Sequence, residues 1–450
     1  MKNLRSISGL FSFLIAFLVF ASCANGQFFD GSTANPGDWN DPNNWDTDAL
    51  PIDDGATLTD VGAEFGGLLD ATANISGALT NDSIWELRVG RGNGATGVLN
   101  QSAGTLTLNN WSFVGVDAND VGNPSMGTYN LTGTGVLNGG AAFFLGLGGG
   151  AGANNGNMTI ADSASANFGA LVVGSNDGNS GTVDQTGGTV VYNSWMTIGE
   201  SSGSTGVYNM SGGSLTQNAD FLTIGQQDGG DGTLNVSGDA SVALNDRGLS
   251  MGRLPGGVAR VELTGSAASF STTDLFVGVN DGFGGDPPFV IGDPTGDATL
   301  SFVADGAGVT PILASGNVYL NDGSVLGSGN LELDLSALGP GPIEDILLIE
   351  VGGTLEGTFT GLPEGSDVGS GRTITYAFGD GNDIGLLAAG GTCDFDIGDV
   401  NMDGFVDLLD VAPFVAAITG GKYVCEADVN QDGVNDLLDV APFVDLLSGS

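Results

Sequence analysis

The chain contains no histidine, and among its 450 residues only 9 are Lys or Arg against 53 Asp or Glu, a formal net charge of −44. Without imidazole there are no His-ligated metals and no Ser-His or Cys-His nucleophile pairs. So few cations cannot neutralise phosphates, which argues against nucleic acid and anionic membrane surfaces as partners. Hard cations held by carboxylates stay open. Cysteine is scarce, with Cys23, Cys393 and Cys425 only. After Phe20 no apolar stretch approaches the ~20 residues that a membrane-spanning helix needs. What is abundant is glycine, 80 residues, more than twice the usual ~7% and unsuited to a helix-rich enzyme. The 41% hydrophobic content still supplies a folded core.

Lys2, Arg5 and the eleven-residue apolar run Leu10–Phe20 have the form of an export signal, assigned here to residues 1–26. Small residues suit cleavage after Gly26 or after Ala24, and Ala21-Ser22-Cys23 offers lipidation at Cys23 as an alternative, with outer-membrane anchoring as its consequence. Loss of residues 1–26 removes two bases and no acid, leaving 7 bases, 53 acids and a charge of −46. Cys393 and Cys425 are then an even pair in an exported chain, which predicts one disulfide between them.

From about residue 85 to 280 one motif recurs: two apolar residues spaced by two, then glycine. Its copies are Leu87/Val89-Gly90, Ser112/Val114-Gly115, Phe143/Leu145-Gly146, Leu171/Val173-Gly174, Met196/Ile198-Gly199, Leu222/Ile224-Gly225, Leu249/Met251-Gly252 and Leu275/Val277-Gly278. The glycines step by 25, 31, 28, 25, 26, 27 and 26 residues, a stacked-repeat period. A second box (GVLNQSA at 97–103, GTYNLTG at 127–133, GTVDQTG at 181–187, GVYNMSG at 206–212, GTLNVSG at 232–238) and a third short apolar run complete each unit. Alternating apolar residues, β-branching and glycine turns indicate about three short strands per unit. The fold class expected is mainly β: a parallel β-solenoid, of the right-handed β-helix type, of eight coils and roughly 38 Å at ~4.8 Å per coil. Residues 27–84 are expected to be its N-terminal cap, 85–285 its repeats, 286–388 its last irregular coils and C-terminal cap, and 389–392 a linker.

The repeat resembles the autotransporter-associated β-helix repeats of exported bacterial proteins over roughly residues 85–285. Trp39 through Trp45, with Pro51 through Leu58, resembles the start of such proteins. Asn100, Asn130, Asn209 and Asn235 stand in N-x-S/T sequons but share one repeat position, so a stacked asparagine ladder is expected rather than glycosylation. The turns at Asp117/Asp120, Asn176/Asp177/Asn179, Asp228/Asp231 and Asn280/Asp281/Asp286 read as solvated corners, and Phe378–Ile384 as a hairpin turn.

β-Helices also carry polysaccharide hydrolases and lyases. Arg88 with Arg91, or Arg253 with Arg260, are the pairs available to a lyase, but nothing in their spacing demands a site, and no paired carboxylates recur outside the turns. The chain therefore reads as non-catalytic.

At the C-terminus DVNMDGFVDLLD (399–410) is followed by DVNQDGVNDLLD (428–439). A calcium loop takes oxygen ligands at positions 1, 3, 5, 7, 9 and 12, with glycine at 6. These fall on Asp399, Asn401, Asp403, the Phe405 carbonyl, Asp407 and Asp410 with Gly404, and on Asp428, Asn430, Asp432, the Val434 carbonyl, Asp436 and Asp439 with Gly433. Two Ca²⁺ ions are expected. Leu408, Val411, Ala412, Val415 and Ile418, and likewise Leu437, Val440, Ala441, Val444 and Leu447, predict a short amphipathic helix after each loop, packed on its twin. Pro413 and Pro442 fit only in the first turn.

Loop and exiting helix, duplicated, with Asp at position 12, resembles the EF-hand-type type I dockerin module over residues 393–450. That resemblance implies a cohesin-like or other cell-surface partner and a place in extracellular polysaccharide breakdown. The pair at positions 10 and 11, often Ser/Thr in scaffold-binding dockerins, is Leu408-Leu409 and Leu437-Leu438. The function expected is an exported structural or adhesive rod, anchored or assembled at the cell surface through its calcium module. The alternative is a dockerin-bearing component of polysaccharide degradation or carbohydrate binding.

Overall fold

The computed structural model describes residues 26–29, 37–63, 70–92, 94–117, 123–148, 153–176, 178–201, 203–226, 229–279, 295–323, 327–338, 344–388, 396–420, 424–430 and 435–448. Residues 1–25 of the export signal with Cys23, the linker 389–392, Cys393 and the turn residues Asp120, Asp177, Asp228, Asn280, Asp281 and Asp286 lie outside them.

Three columns of parallel strands build a β-solenoid. The first face is a twelve-stranded sheet running from Gly26–Phe29 and Leu58–Ala63 through Glu86–Arg91 to Leu355–Glu356, about 53 Å at ~4.8 Å per strand. In the turn that starts at Glu86, Thr96–Gln101 lies on the second face and Thr105–Leu108 on the third. Each strand pairs with its counterpart one turn later, as in Thr96–Gln101 with Met126–Leu131. Two thirteen-residue strands, Ser180–Tyr192 and Thr205–Gln217, run through both the second and the third face, with register shifts in their pairing between Gln185 and Thr189. Parallel rungs begin before residue 85, with Leu58–Ala63 and Asp70–Ile75, and continue after residue 285 to Leu355–Glu356.

The repeated pair points into the rod. Leu87, Val89, Val114, Leu171, Val173, Met196, Ile198, Leu222, Ile224, Leu249, Met251, Leu275 and Val277 are buried in one continuous core. The only polar member, Ser112, is also buried and its hydroxyl accepts a hydrogen bond from the Leu87 amide at 3.1 Å.

The glycine that ends the motif is where the chain turns from the first face to the second. Gly174 has φ +73°, and a Cβ there would stand 2.2 Å from the Thr205 carbonyl oxygen of the next turn. Across that approach Gly206 presents its own bare Cα: a Cβ on it would stand 2.3 Å from the Gly199 amide. Two glycine columns therefore let successive corners touch backbone to backbone, and the left-handed φ adds a second reason for glycine.

Outward positions of the second face form side-chain ladders. Asn100 donates to Asn74 at 2.9 Å and Asn130 to Asn100 at 2.8 Å; Asn209 donates to Asp184 and Asn235 to Asn209, both at 2.8 Å. Thr159 occupies the rung between the two ladders. A second ladder lies inside the corner: Asn179 Oδ1 accepts from the Asn154 amide at 2.9 Å, and Asn154 Oδ1 from the Ser125 amide at 2.9 Å. Asn179, expected in a solvated turn, is instead fully buried, because the corner amides of the neighbouring turn need an acceptor that water cannot reach.

Aromatic packing closes the N-terminal end, with Trp45 edge-on to Phe29 at 5.0 Å and to Trp39 at 4.8 Å, all within the core. At the other end the ladder stops being parallel. Asp383–Ala388 pairs antiparallel with Ile346–Val351 and with Arg372–Phe378, and Phe378–Asp383 closes the hairpin anticipated there. Reversing direction covers the edge of Ile346–Val351, the last parallel strand of the third column, which would otherwise be open to another chain.

Gly174→Ala should lower stability by about 2–4 kcal/mol, combining left-handed strain with overpacking. Gly178→Ala, with a similar φ of +74° but nothing within 4 Å of the added carbon, should cost only ~1 kcal/mol. Chemical denaturation of both variants measures the contrast; equal losses would refute the close-approach account. Asn209→Ala removes two ladder bonds and should cost about 1–3 kcal/mol. The parent chain, expressed in a glycosylating host, should show no sugar at Asn209 by mass spectrometry.

Candidate metal centre

Two helices follow the acidic loops: α1, Val411–Gly420, and α2, Val440–Ser448. Pro413 and Pro442 stand third in each, where an amide has no acceptor within the helix, so proline costs nothing there. The helices meet through Phe414 and Phe443, stacked at 3.8 Å with 10° between ring planes. Around them Val400, Ala417 and Ala427 are buried, with Ile418, Val424, Val429 and Leu447 against them. The seam is thus rotated from the face expected in the sequence. Ile418 and Leu447 join it, but Leu408, Val411, Val415, Leu437, Val440 and Val444 are exposed. A stacked aromatic pair buries more apolar surface than valines at the same crossing, and it turns the valines outward.

In the first loop Asp399 and Asp410 are fully buried and receive main-chain amides. Asp399 accepts from Asp403 at 3.1 Å and Gly404 at 2.7 Å. Asp410 accepts from Asn401 at 2.9 Å and Asp407 at 2.8 Å. The Asn401 side-chain amide donates to Asp403 at 3.0 Å, and the Asp407 carboxylate accepts from Leu409 at 2.7 Å. Phe405, whose carbonyl is the seventh-position donor, has its side chain 72% exposed, consistent with a contribution from main chain only.

The second loop repeats this pattern where it is described. Asp439 accepts from Asn430 at 3.0 Å and Asp436 at 2.9 Å, and Asp436 from Leu438 at 2.6 Å. Asp428 and Asp439 are buried; Asp432, Gly433 and Val434 lie outside the described residues. The first loop is tied to the segment ahead of the second by the Gly398 amide, which donates to the Glu426 carbonyl at 2.7 Å. Cys425, beside that contact, is disulfide-bonded; its partner is outside the described residues.

The donor set is oxygen throughout, the type that hard cations take. A cation at such a place offsets a desolvation cost that the amides bonded to buried carboxylates only partly repay. Among the described residues, however, no three Asp, Glu, His or Cys side chains are gathered closely enough to form a metal cluster.

Comparison with known proteins gives no relative. No family model, no curated protein and no solved structure matches the chain. Among the described residues no helix is long and apolar enough to cross a membrane.

The arginines weighed for lyase chemistry are tied up. Arg88 bonds Glu86 at 2.6 Å and Arg91 bonds Asp60 at 3.0 Å, all four buried on the first face. Arg260 bonds Glu332 at 2.6 Å and Glu262 at 3.0 Å, and Arg253 is buried. This buried four-charge group was missed by sequence reasoning; the one available signal was three charges in the single strand Glu86–Arg91. Burial raises the Asp60 carboxyl above its ordinary range despite the opposing pull of Arg91 and Arg88, and raises Glu86 likewise.

Arg91→Met should cost about 3–5 kcal/mol, because it strands a buried carboxylate, and Asp60→Asn in the same chain should recover much of the loss. A double-mutant cycle by denaturation measures this. With its folded pKa raised, Asp60 stabilises the fold fully below its unfolded pKa and loses that contribution as pH rises through the folded value. Asp60→Asn should therefore flatten that part of the stability-against-pH curve.

Proposed function

We propose that this chain is an exported, non-catalytic β-solenoid rod that attaches to the cell surface or extracellular matrix through two C-terminal calcium loops. The observation that carries the reading is the duplicated loop: Asp399 to Asp410 and Asp428 to Asp439 carry the same residue at nine of twelve positions, and Asp410 and Asp439 accept amides from the same relative positions. Asp399, Asn401, Asp403, Phe405, Asp407 and Asp410 would hold one Ca²⁺, and Asp428, Asn430, Asp432, Val434, Asp436 and Asp439 the other. The bound ion supplies charge neutralisation and cross-links each loop to the start of its helix.

The export signal in residues 1–26 supports an extracellular setting, where calcium is plentiful and a disulfide persists. The rod serves as a spacer: a ladder of polar side chains runs along its second face, an antiparallel strand covers the end of its third column, and Arg88, Arg91 and Arg260 are engaged in ion pairs. A cohesin-like protein on the cell surface is the type of partner that the module's resemblance to dockerins suggests.

Calorimetric titration of the mature chain should give two Ca²⁺ per molecule, and Asp399→Ala with Asp410→Ala should leave one. Zero stoichiometry in the parent would remove the calcium module from the account. Incubation with a polysaccharide panel should release no product; turnover of any glycan would overturn the non-catalytic reading in favour of a dockerin-bearing enzyme of polysaccharide breakdown.

A further inference from the structure

The outer side of the first face is apolar, where the second face carries its polar ladder. Strand alternation sends Arg88, Phe113, Phe144 and Val172 outward on successive rungs, opposite core residues such as Val89 and Val114. Thr197, Thr223 and Ser250 continue the row, and Phe276, Tyr319 and Glu356 end it. Phe113 stacks on Phe144 at 5.4 Å and Phe276 on Tyr319 at 5.0 Å. In the full-length chain Phe113 is 1% and Phe144 2% exposed, yet among the described residues the apolar clusters on this side are drawn only from first-face strands and the residues flanking them. The apolar run Leu10–Phe20 is joined to the fold at Gly26–Phe29, the edge strand of this same sheet, and under the proposed export it is cleaved away. The mature chain then keeps the apolar side and loses the segment tethered beside it.

The order of the row selects the occupant. Its two stacked aromatic pairs stand equally far from the midpoint between Thr197 and Thr223, so a half-turn about a strand-parallel axis at that midpoint lays the row on its own reverse. Thr197 then faces the partner's Thr223, the pair Phe113 and Phe144 faces Tyr319 and Phe276, and Arg88 faces Glu356. In the neighbouring outer row Trp195, 39% exposed, and Phe221 hold the same two central rungs and face each other across the axis. Charge allows the approach. Arg88, Arg91, Arg247 and Arg253, four of the seven bases left after residues 1–26, lie in or beside strands of this face, with Arg247 over the Phe221 ring. A second copy therefore meets little of the repulsion that a charge of −46 imposes elsewhere. From Phe113 to Tyr319 the side is roughly 38 Å by 20 Å, on the order of 750 Å² on each copy, the size of a stable interface. We propose that the mature rod pairs with a second, antiparallel copy of itself through the outer side of its first face. This goes beyond the attachment reading and does not need calcium.

Sedimentation velocity of the mature chain over a concentration series, with calcium and with chelator, should show a reversible dimer under both conditions. Trp195→Ala and, separately, Phe144→Asp should raise the dimer dissociation constant tenfold or more, as loss of an aromatic anchor does. Trp195 is exposed enough for its variant to keep the fold should Phe144→Asp fail a circular dichroism check. Thr182→Asp, on the outer side of the second face, should leave the dimer unchanged. Glu356→Arg sets an arginine against the partner's Arg88 and should weaken pairing several-fold, whereas parallel rods would bring two Glu356 side chains together and be strengthened by it. A monomer at every concentration up to about 100 μM, well above the micromolar limit for an interface of this size, would overturn the proposal and leave this side to cover from within the chain. So would a dimer indifferent to both aromatic variants, a dimer strengthened by Glu356→Arg, or a monomer that binds phosphatidylcholine vesicles through Trp195.

Discussion

The rod depends on how closely one turn's corner can approach the next. At Gly174 and its equivalents the backbone turns with a positive φ directly against the carbonyl of the following turn, and a facing glycine removes the last obstructing carbon. This contact sets the stacking distance on which every parallel ladder relies, since short strands cannot hold their register alone. Where the second glycine column changes to alanine the two corners differ: beside Ala259 a Cβ on Gly225 would still stand 2.1 Å from the Val258 carbonyl oxygen, whereas beside Ala298 the approach at Gly252 relaxes to 3.0 Å. The glycine excess of the composition is therefore a local requirement, met once or twice per turn.

Once the corners fix the register, polar residues fall into columns whether or not they carry a function. Outside, asparagines bond to one another along the second face; inside, Asn154 and Asn179 serve buried corner amides, and Tyr208 donates to Gln185 at 2.8 Å. The same stacking that makes a sequon part of a ladder joins Asp60 and Arg91, 31 residues apart, into a buried ion pair. Residues that look like candidates for chemistry in a linear reading are thus absorbed into structure.

Legibility in the sequence follows from how often a feature repeats. The inward pairs, the corner glycines and the asparagine ladder each recur at one period, so a parallel solenoid and its faces can be read directly. The acidic loops are legible for a different reason, as each places its oxygen donors within twelve consecutive residues. The Asp60–Arg91 pair occurs once and joins distant positions, leaving no periodic trace. The helix seam escaped because valine at helical spacing and phenylalanine one position away both describe an apolar stripe, and only packing decides which turns inward. Phe414 with Ala417 and Ile418 won, and the leucines and valines were left facing solvent.

Rod and C-terminal module are stabilised by different physics: stacked apolar turns in one, carboxylate loops around two small helices in the other. Differential scanning calorimetry of the mature chain, with calcium and then with chelator, tests that division most directly. The account predicts two transitions, the one belonging to residues 393–450 lost or shifted down by tens of degrees on chelation while the rod's stays in place. A single transition unchanged by chelator would contradict it.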